Sequence, residues 1–277
     1  MSSWRVVSVV VAGSLLLLSM SAAAQQRQNK TKVQSMLEGK WTVGGGVGGA
    51  PDYEGSDDYE AVPLFVARWA RDDGVFVEAL PNDDIGGYGV RLNMIGDSPL
   101  ILGPIINYRR RRNDVSDNSV DQLNSVGTSW ELGGFIGFNW EGWNIIAQVV
   151  HDAADGHDGG LISLGGGYSS RLKGNWSKWN WGVRASTAWA SDNYMESYFS
   201  VSSSEASSTG LNRFDAESGF KDAGLDLSLG RQFYDKWLVT GSFSYKRLLN
   251  DAKDSPVTDD AGSADQFSGG LLISYTF

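Results

Sequence analysis

The stretch Trp130-Glu-Leu-Gly-Gly-Phe-Ile-Gly-Phe-Asn-Trp140 decides the fold class. Its even-numbered positions are almost all large and apolar, whereas most odd-numbered positions are glycine or polar, as at Glu131 and Asn139. This alternation predicts a strand with one face in an apolar medium and the other in a polar one. Aromatic residues lie at both ends of the apolar face, as they do in the girdles of membrane barrels.

The residues that follow predict the return strand of a hairpin. Glu141-Gly142 has the composition of a tight turn, and Trp143, Ile145, Ala147 and Val149 then continue the apolar face, with polar residues between them.

The same alternation recurs along the chain. It is clear at 180–189, 225–229, 237–246 and 267–277, and weaker at 41–49, 62–69, 75–80, 88–94, 101–108 and 161–169. Tyr194–Val201 is a thirteenth candidate, which we assign to a long outer loop because bacterial single-chain barrels have an even number of strands. The sequence therefore predicts an all-β fold, a transmembrane antiparallel up-and-down β-barrel of about 12 strands.

Composition agrees with a membrane barrel. The 277 residues include 11 Trp, 10 Tyr, 11 Phe and 35 Gly, and the mean hydropathy is −0.25. A soluble β-sandwich and a periplasmic barrel with an apolar interior are both disfavoured, because the polar face carries small and charged residues, which suit a channel better than a core. The net charge of −10 argues against a nucleic-acid partner. The chain has no cysteine, which excludes disulfides.

The N-terminal residues predict export. Arg5 precedes an apolar run over 6–18, and Ala22-Ala-Ala24 offers a cleavage site. The run is too short for a membrane-spanning helix, which needs about 20 residues. We therefore predict a cleaved signal peptide at 1–24, a periplasmic segment at 25–40 and an outer-membrane barrel at 41–277.

Loop lengths predict the orientation of the barrel. Bacterial barrels keep their termini and short turns in the periplasm. The short turns are then periplasmic, near 72–73, 97–98, 141–142, 173–178 and 233–236. The long connections are external, at 51–59, 109–125, 151–159, 191–218 and 250–265.

Several segments, taken together, resemble the MltA-interacting protein (MipA)/OmpV family. They are Pro51-Asp-Tyr-Glu-Gly-Ser56, Gly103-Pro104 with Tyr108-Arg109, Asp155-Gly-His157, Tyr198-Phe-Ser-Val201, Asp254-Ser-Pro-Val257 and Tyr275-Thr-Phe277. Two features depart from the family: a heavy basic run at Arg109–Arg112 and a short segment between Val75 and Met94.

The resemblance implies an outer-membrane protein that acts as a scaffold for periplasmic peptidoglycan-remodelling enzymes, joining a lytic transglycosylase to a peptidoglycan synthase. Its other surroundings would be outer-membrane lipid and lipopolysaccharide. A passive pore for small solutes and a surface adhesin acting through external loops stay open as alternatives. The resemblance carries over no catalytic residues.

Catalysis and cofactors are disfavoured by the residues themselves. No G-x-S-x-G elbow occurs, so we expect no enzyme. Gly44, Gly46 and Gly49 match a dinucleotide motif by letter, but Ala50-Pro-Asp52 opens a loop where that motif requires a helix. We therefore expect no cofactor.

Two clusters are candidate binding sites. His151, Asp155, His157 and Asp158 are weak candidates for a divalent cation, against the simpler interpretation of a polar hairpin loop. Arg109, Arg110, Arg111 and Arg112 are candidates for contact with the lumen or with lipopolysaccharide phosphates. Strand alternation would place Arg109 with Arg111 on one face and Arg110 with Arg112 on the other.

Overall fold

The structure, a computed structural model, describes residues 38–277. Twelve antiparallel strands form a closed barrel in which each strand pairs with its neighbours in sequence and β12 pairs with β1. The predicted fold and strand number are confirmed. The strands are β1 (Lys40–Pro51), β2 (Tyr59–Ala70), β3 (Phe76–Pro81), β4 (Tyr88–Asn93), β5 (Leu100–Arg109), β6 (Ser129–Trp140), β7 (Trp143–Asp152), β8 (Gly160–Arg171), β9 (Trp179–Ala190), β10 (Gly219–Phe233), β11 (Trp237–Leu248) and β12 (Asp265–Thr276).

The wall of the barrel has inverted polarity relative to a soluble protein. On β6, the apolar side chains of Leu132 and Ile136 are half exposed, whereas Glu131 is fully buried. On β7, Ile145 and Val149 are exposed and Gln148 is buried. Apolar side chains point outward on these strands because their surroundings are lipid, and polar ones point into the lumen.

Glycine lines the seam between the first and last strands. Gly46 on β1 lies opposite Leu272 on β12, and a Cβ added at Gly46 would lie 2.0 Å from the carbonyl oxygen of Leu271. Gly48 and Gly270 also face each other across this seam. The two backbones approach closely because these residues have no side chain.

The long connections contain short helices, with a 3-10 turn at Gly174–Trp176 on the opposite end of the barrel. The helices are α1 (Asn118–Asp121), α2 (Asp192–Phe199), α3 (Ser203–Thr209), α4 (Asn250–Asp254) and α5 (Pro256–Asp259). Within residues 38–277, no helix combines the length and apolarity needed to cross a membrane.

The assignment of Tyr194–Val201 to an outer loop is confirmed, and most of this segment forms α2 within the β9–β10 connection. Tyr194, Met195, Tyr198 and Phe199 are all buried. Their spacing places them on one side of a helix, where a strand would have separated them onto two faces.

The β3–β4 hairpin is the short segment already visible in the sequence. Strand β2 pairs with β3 only over Ala67–Ala70, so the upper part of β2 extends beyond the hairpin. The connection at residues 82–87, named here the lumen turn, ends in Gly86 and Gly87 with φ of 81° and 84°. Glycine adopts this left-handed backbone at little cost, which lets the chain double back inside the barrel.

The predicted boundary of the barrel at residue 41 falls one residue inside the observed start of β1 at Lys40. The predicted signal peptide at 1–24 and nearly all of the segment at 25–40 lie outside the described residues. Both stay predictions.

Candidate functional site: an obstructed lumen and its outer mouth

The lumen turn is anchored across the barrel by an ion pair. Arg184 on β9 donates from Nε to Asp84 Oδ1 at 2.8 Å and from Nη2 to Asp84 Oδ2 at 2.5 Å. Gln148 on β7 donates to the same carboxylate at 2.9 Å. Charge-assisted bidentate bonds of this kind fix orientation as well as position.

Two further strands hold the lumen turn through its backbone. Arg109 on β5 donates to the carbonyl of Ile85 at 2.6 Å, and Lys246 on β11 donates to the carbonyl of Asp83 at 3.0 Å. The turn is therefore bonded to β5, β7, β9 and β11. It separates a cavity of about 300 Å³, lined by Arg68 and Arg91 among others, from one of about 290 Å³ towards the outer mouth.

A second layer of polar contacts lies above the turn. Arg109 Nε donates to Glu131 Oε1 at 2.7 Å, and Asn107 donates to Glu131 Oε2 at 2.7 Å. His157 Nε2 lies 3.0 Å from Glu131 Oε1, while the backbone N–H of Gly159 donates to His157 Nδ1 at 3.0 Å. The acceptor role of Nδ1 places the proton of a neutral imidazole on Nε2, which then donates to Glu131.

The first external loop enters the same mouth. Glu54 accepts from Lys221 Nζ and, at 2.7 Å, from the hydroxyl of Tyr194. Lys221 is fully buried and also donates to Asp222 at 2.6 Å. Burial raises the pKa of Glu54, but the ammonium of Lys221 and the guanidinium of Arg109 outweigh this and lower it to about 2. Glu54 is thus a carboxylate that holds the loop to the strands.

Helix α2 covers this mouth. Tyr194 and Phe199 are completely buried, and burial raises the pKa of the Tyr194 phenol well above its ordinary value. Arg112 donates to the carbonyl of Tyr198 at 2.7 Å, and Ser255 donates to the carbonyl of Phe199 at 2.5 Å. The helix is therefore bonded to two other loops.

Five of the six segments that suggested the family resemblance meet at this point, whereas Tyr275-Thr-Phe277 lies at the other end of the barrel. Arg109 and His157 both bond to Glu131, and Glu54 and Ser255 both bond to helix α2, which carries Tyr198. These bonds tie the external loops to one another and to the strands at the outer mouth.

The arginine run is divided differently from the predicted alternation. Arg109 and Arg112 are buried, whereas Arg110 and Arg111 are exposed. The alternation fails because β5 ends at Arg109 and the following residues belong to a loop. Arg110 pairs with Glu60, and Arg111 lies 3.9 Å from Asp114. Contact of these residues with lipopolysaccharide stays a prediction.

The histidine–aspartate cluster is dispersed. His151 points outward from β7, and its ring nitrogen lies 2.8 Å from the carbonyl of Asp152, whereas His157 points inward to Glu131. Asp155 and Asp158 have φ of 55° and 52° and serve the turn. Across residues 38–277, no group of three or more His, Asp or Glu side chains is placed to hold a metal ion.

The residues that obstruct the lumen were missed by the sequence argument. Asp84, Arg184, Glu54 and Lys221 are separated by long stretches of sequence, and only the barrel brings them together. One signal was available: Arg184 is the one charged residue of β9 and occupies an inward position, where a largely buried guanidinium requires an anionic partner.

Comparison with known proteins gives a family and a set of structural neighbours. The family model of MltA-interacting protein MipA matches residues 43–277. The MltA-interacting proteins of Escherichia coli (strain K12) and Shigella flexneri are each 34% identical over 71 residues. That alignment spans 26% of this chain and 28% of each relative, so about a quarter of the length of these relatives is matched.

Solved barrels resemble the chain more loosely. Omp33 of Acinetobacter baumannii is 9% identical, with 87% of this chain and 99% of that chain covered and a TM-score of 0.36. OprD of Pseudomonas aeruginosa is 16% identical, with 87% and 65% covered and a TM-score of 0.32. The family match extends over nearly the whole described barrel, so this chain is an outer-membrane barrel protein that belongs to the MltA-interacting protein MipA family.

Proposed function

We propose that this protein is a non-conducting scaffold whose periplasmic rim binds a lytic transglycosylase that remodels peptidoglycan. The printed name of the Escherichia coli relative states that it interacts with MltA, and the proposal extends that role to this chain. A peptidoglycan synthase is the proposed second partner, as the family resemblance implies.

The obstruction of the lumen is the observation that carries this proposal. The lumen turn is bonded to four strands, and the cluster of Glu54, Lys221 and Tyr194 covers the outer mouth. A passive pore requires a continuous aqueous path, whereas a scaffold requires only a rigid wall and a binding face. The buried ion pairs supply rigidity, since breaking any one of them leaves an uncompensated charge inside the barrel.

The external face has a separate proposed role. Arg110 and Arg111 are exposed beside the outer end of β5, where lipopolysaccharide phosphates would lie. Their guanidinium groups suit phosphate oxygens. We assign them to anchoring the barrel in the outer leaflet.

Two measurements on the refolded, signal-free protein test the scaffold proposal. Planar-bilayer recording should give no channel steps, and immobilised protein should capture a purified lytic transglycosylase of the MltA type. The scaffold proposal would be wrong if the properly folded, heat-modifiable barrel conducted steadily and failed to retain the transglycosylase. A passive pore would then be the better-supported function. An Arg110→Glu variant should retain the transglycosylase fully, because Arg110 lies on the external face.

A further inference from the structure

Two neighbouring turns on the periplasmic rim carry a group of basic residues. The β8–β9 turn and the β10–β11 turn lie side by side because β9 pairs with β10, and the backbone N–H of Gln232 donates to the carbonyl of Lys178 at 2.8 Å. Arg171, Lys173, Lys178 and Lys236, all exposed, form what we name the basic sector. One carboxylate, Asp235, lies among them.

The charges of the basic sector are not neutralised within the protein. Among residues 38–277, the lysines and arginines that form no ion pair are these four together with Arg112 and Arg231. Arg112 is buried against backbone carbonyls. The first 37 residues contain no aspartate or glutamate, so they supply no partner. In a chain with a net charge of −10, four unpaired cations in one place form a binding surface for anions.

Within the described part of the chain, the three turns between β2 and β7 carry no unpaired cation. Asp72 is paired with Lys40 and Asp73 with Arg71, which leaves Asp97 and Glu141 unpaired there. The basic sector is therefore a bounded surface, and its position is defined by strands β8 to β11.

Two aromatic side chains project from the same turns. Trp176 is 61% exposed on the 3-10 turn, and Tyr234 is 82% exposed at the tip of the β10–β11 turn. Tyr234 has a φ of 52°, a backbone conformation that bulky residues seldom adopt. Exposed rings of this kind offer flat apolar faces with a polar edge, which suit the faces of sugar rings.

The basic sector opens towards the lumen axis. A cavity of about 180 Å³ lies between the two turns, and its wall includes Asn180, Gln232 and Thr276, whose side chains point inward in the strand register. Two cations lie over outward-facing rings: the Arg231 guanidinium over Trp179 and Phe233, at 5.3 Å and 4.8 Å, and the Lys236 ammonium over Tyr275, at 5.7 Å. Arg231 lies on the wall, where lipid headgroups would meet it. Lys236 lies on the turn itself, at the edge of the basic sector, and Arg171, Lys173 and Lys178 face the aqueous periplasm.

We propose that the basic sector binds peptidoglycan directly. The ligand that fits is a hydrated polymer of sugar rings with free carboxylates, and peptidoglycan is the periplasmic polymer with that chemistry. The predicted periplasmic segment of this chain does not fit, because Arg27, Lys30 and Lys32 make it basic. The inference rests on the proposed function only in placing the working face on the periplasmic rim. It adds a polymer contact beside the enzyme contact.

Co-sedimentation of the refolded, signal-free protein with purified peptidoglycan sacculi tests this. The charge-reversal variant Lys173→Glu/Lys178→Glu/Lys236→Glu should bind at least about tenfold more weakly than the unaltered protein. The matched control, Arg213→Glu/Arg247→Glu/Lys253→Glu, reverses three charges at the external end of the barrel and should bind unchanged. Trp176→Ala/Tyr234→Ala keeps every charge and should weaken binding by about threefold to tenfold. This aromatic variant tests the surface independently if the charge-reversal variant misfolds.

Three outcomes would overturn the inference. They are equal binding by both charge-reversal variants, binding that does not weaken with salt, and preferential binding to phosphatidylglycerol vesicles over sacculi. Capture of the transglycosylase is scored separately. If the protein binds sacculi but does not capture the enzyme, only the scaffold proposal is disproved. If it captures the enzyme but does not bind sacculi, only the inference about peptidoglycan is disproved.

Discussion

Asp84 in the lumen turn and Arg184 on β9 are 100 residues apart in sequence and are joined across the lumen by two bonds of 2.8 Å and 2.5 Å. This pair holds an irregular segment inside the barrel and is its one side-chain ion pair among the described residues, beside the bonds that Arg109 and Lys246 donate to its backbone. The lumen turn is consequently fixed in position relative to the strands of the wall.

Removing the arginine should release the turn. Arg184→Ala leaves Asp84 with Gln148 as its remaining side-chain donor, so we expect intermittent channel openings in planar bilayers and a loss of stability of about 3 kcal/mol. The control variant Arg247→Ala breaks the pair with Asp265 at the external end of the barrel and should give no channel openings. If neither variant gives channel openings, the position of the lumen turn does not depend on the pair of Asp84 and Arg184.

Glu131 and Glu60 give a matched comparison within the arginine run. Glu131→Gln removes the charge that neutralises buried Arg109, and we expect it to destabilise the barrel by about 3 kcal/mol. Glu60→Gln affects the exposed pair with Arg110 and should cost less than about 1 kcal/mol. Urea unfolding in lipid vesicles measures both free energies, and similar costs would contradict the burial argument.

The mouth should respond to acid through Glu54. Its pKa is about 2 in the folded protein and 4.5 ordinarily, so it stabilises the folded state above pH 4.5 and loses that contribution as the pH falls towards 2. The contribution is roughly 3 kcal/mol. Thermal unfolding of the unaltered protein and of Glu54→Gln should differ at pH 6 and converge near pH 2. A constant difference would show that Glu54 is not the titrating group.

Two adjacent glycines on β1 should differ sharply in how well they tolerate substitution by alanine. A Cβ at Gly46 would lie 2.0 Å from a β12 carbonyl oxygen, whereas a Cβ at Gly45 would meet nothing closer than 3.9 Å. Gly46→Ala should therefore cost about 2 kcal/mol or more in urea unfolding. Gly45→Ala should be nearly neutral, and parity between the two would disprove the close approach of the strands.

Much of the barrel could be predicted from the sequence because membrane strands carry a local signal. The hairpin of β6 and β7 was placed to within a few residues, since its alternation reports the polarity on each side of the wall. The position of Tyr194–Val201 in an outer loop was also predicted, but the helix that Tyr194 and Tyr198 belong to was not.

The obstructed lumen could not be predicted in the same way. The path of the lumen turn depends on partners far along the chain, such as Arg184 and Lys246, and no local pattern specifies them. The basic sector likewise exists only because β9 pairs with β10 and brings two separate turns together. The arginine run was visible, but its division depends on where β5 ends.

The glycine seam also bears on how the barrel assembles. Residues 42–49 pair with residues 269–276, so the last lateral contact joins segments separated by almost the whole described chain. Pairing over such a distance is slow, because the loop entropy is lost before the contact is gained. Five of the eight paired residues on the β1 edge are glycine, whereas the β12 edge carries larger side chains such as Leu271 and Ile273. The β1 edge therefore has few rotamers to rearrange when the two backbones pair, and most of the side chains that must be ordered at closure belong to β12.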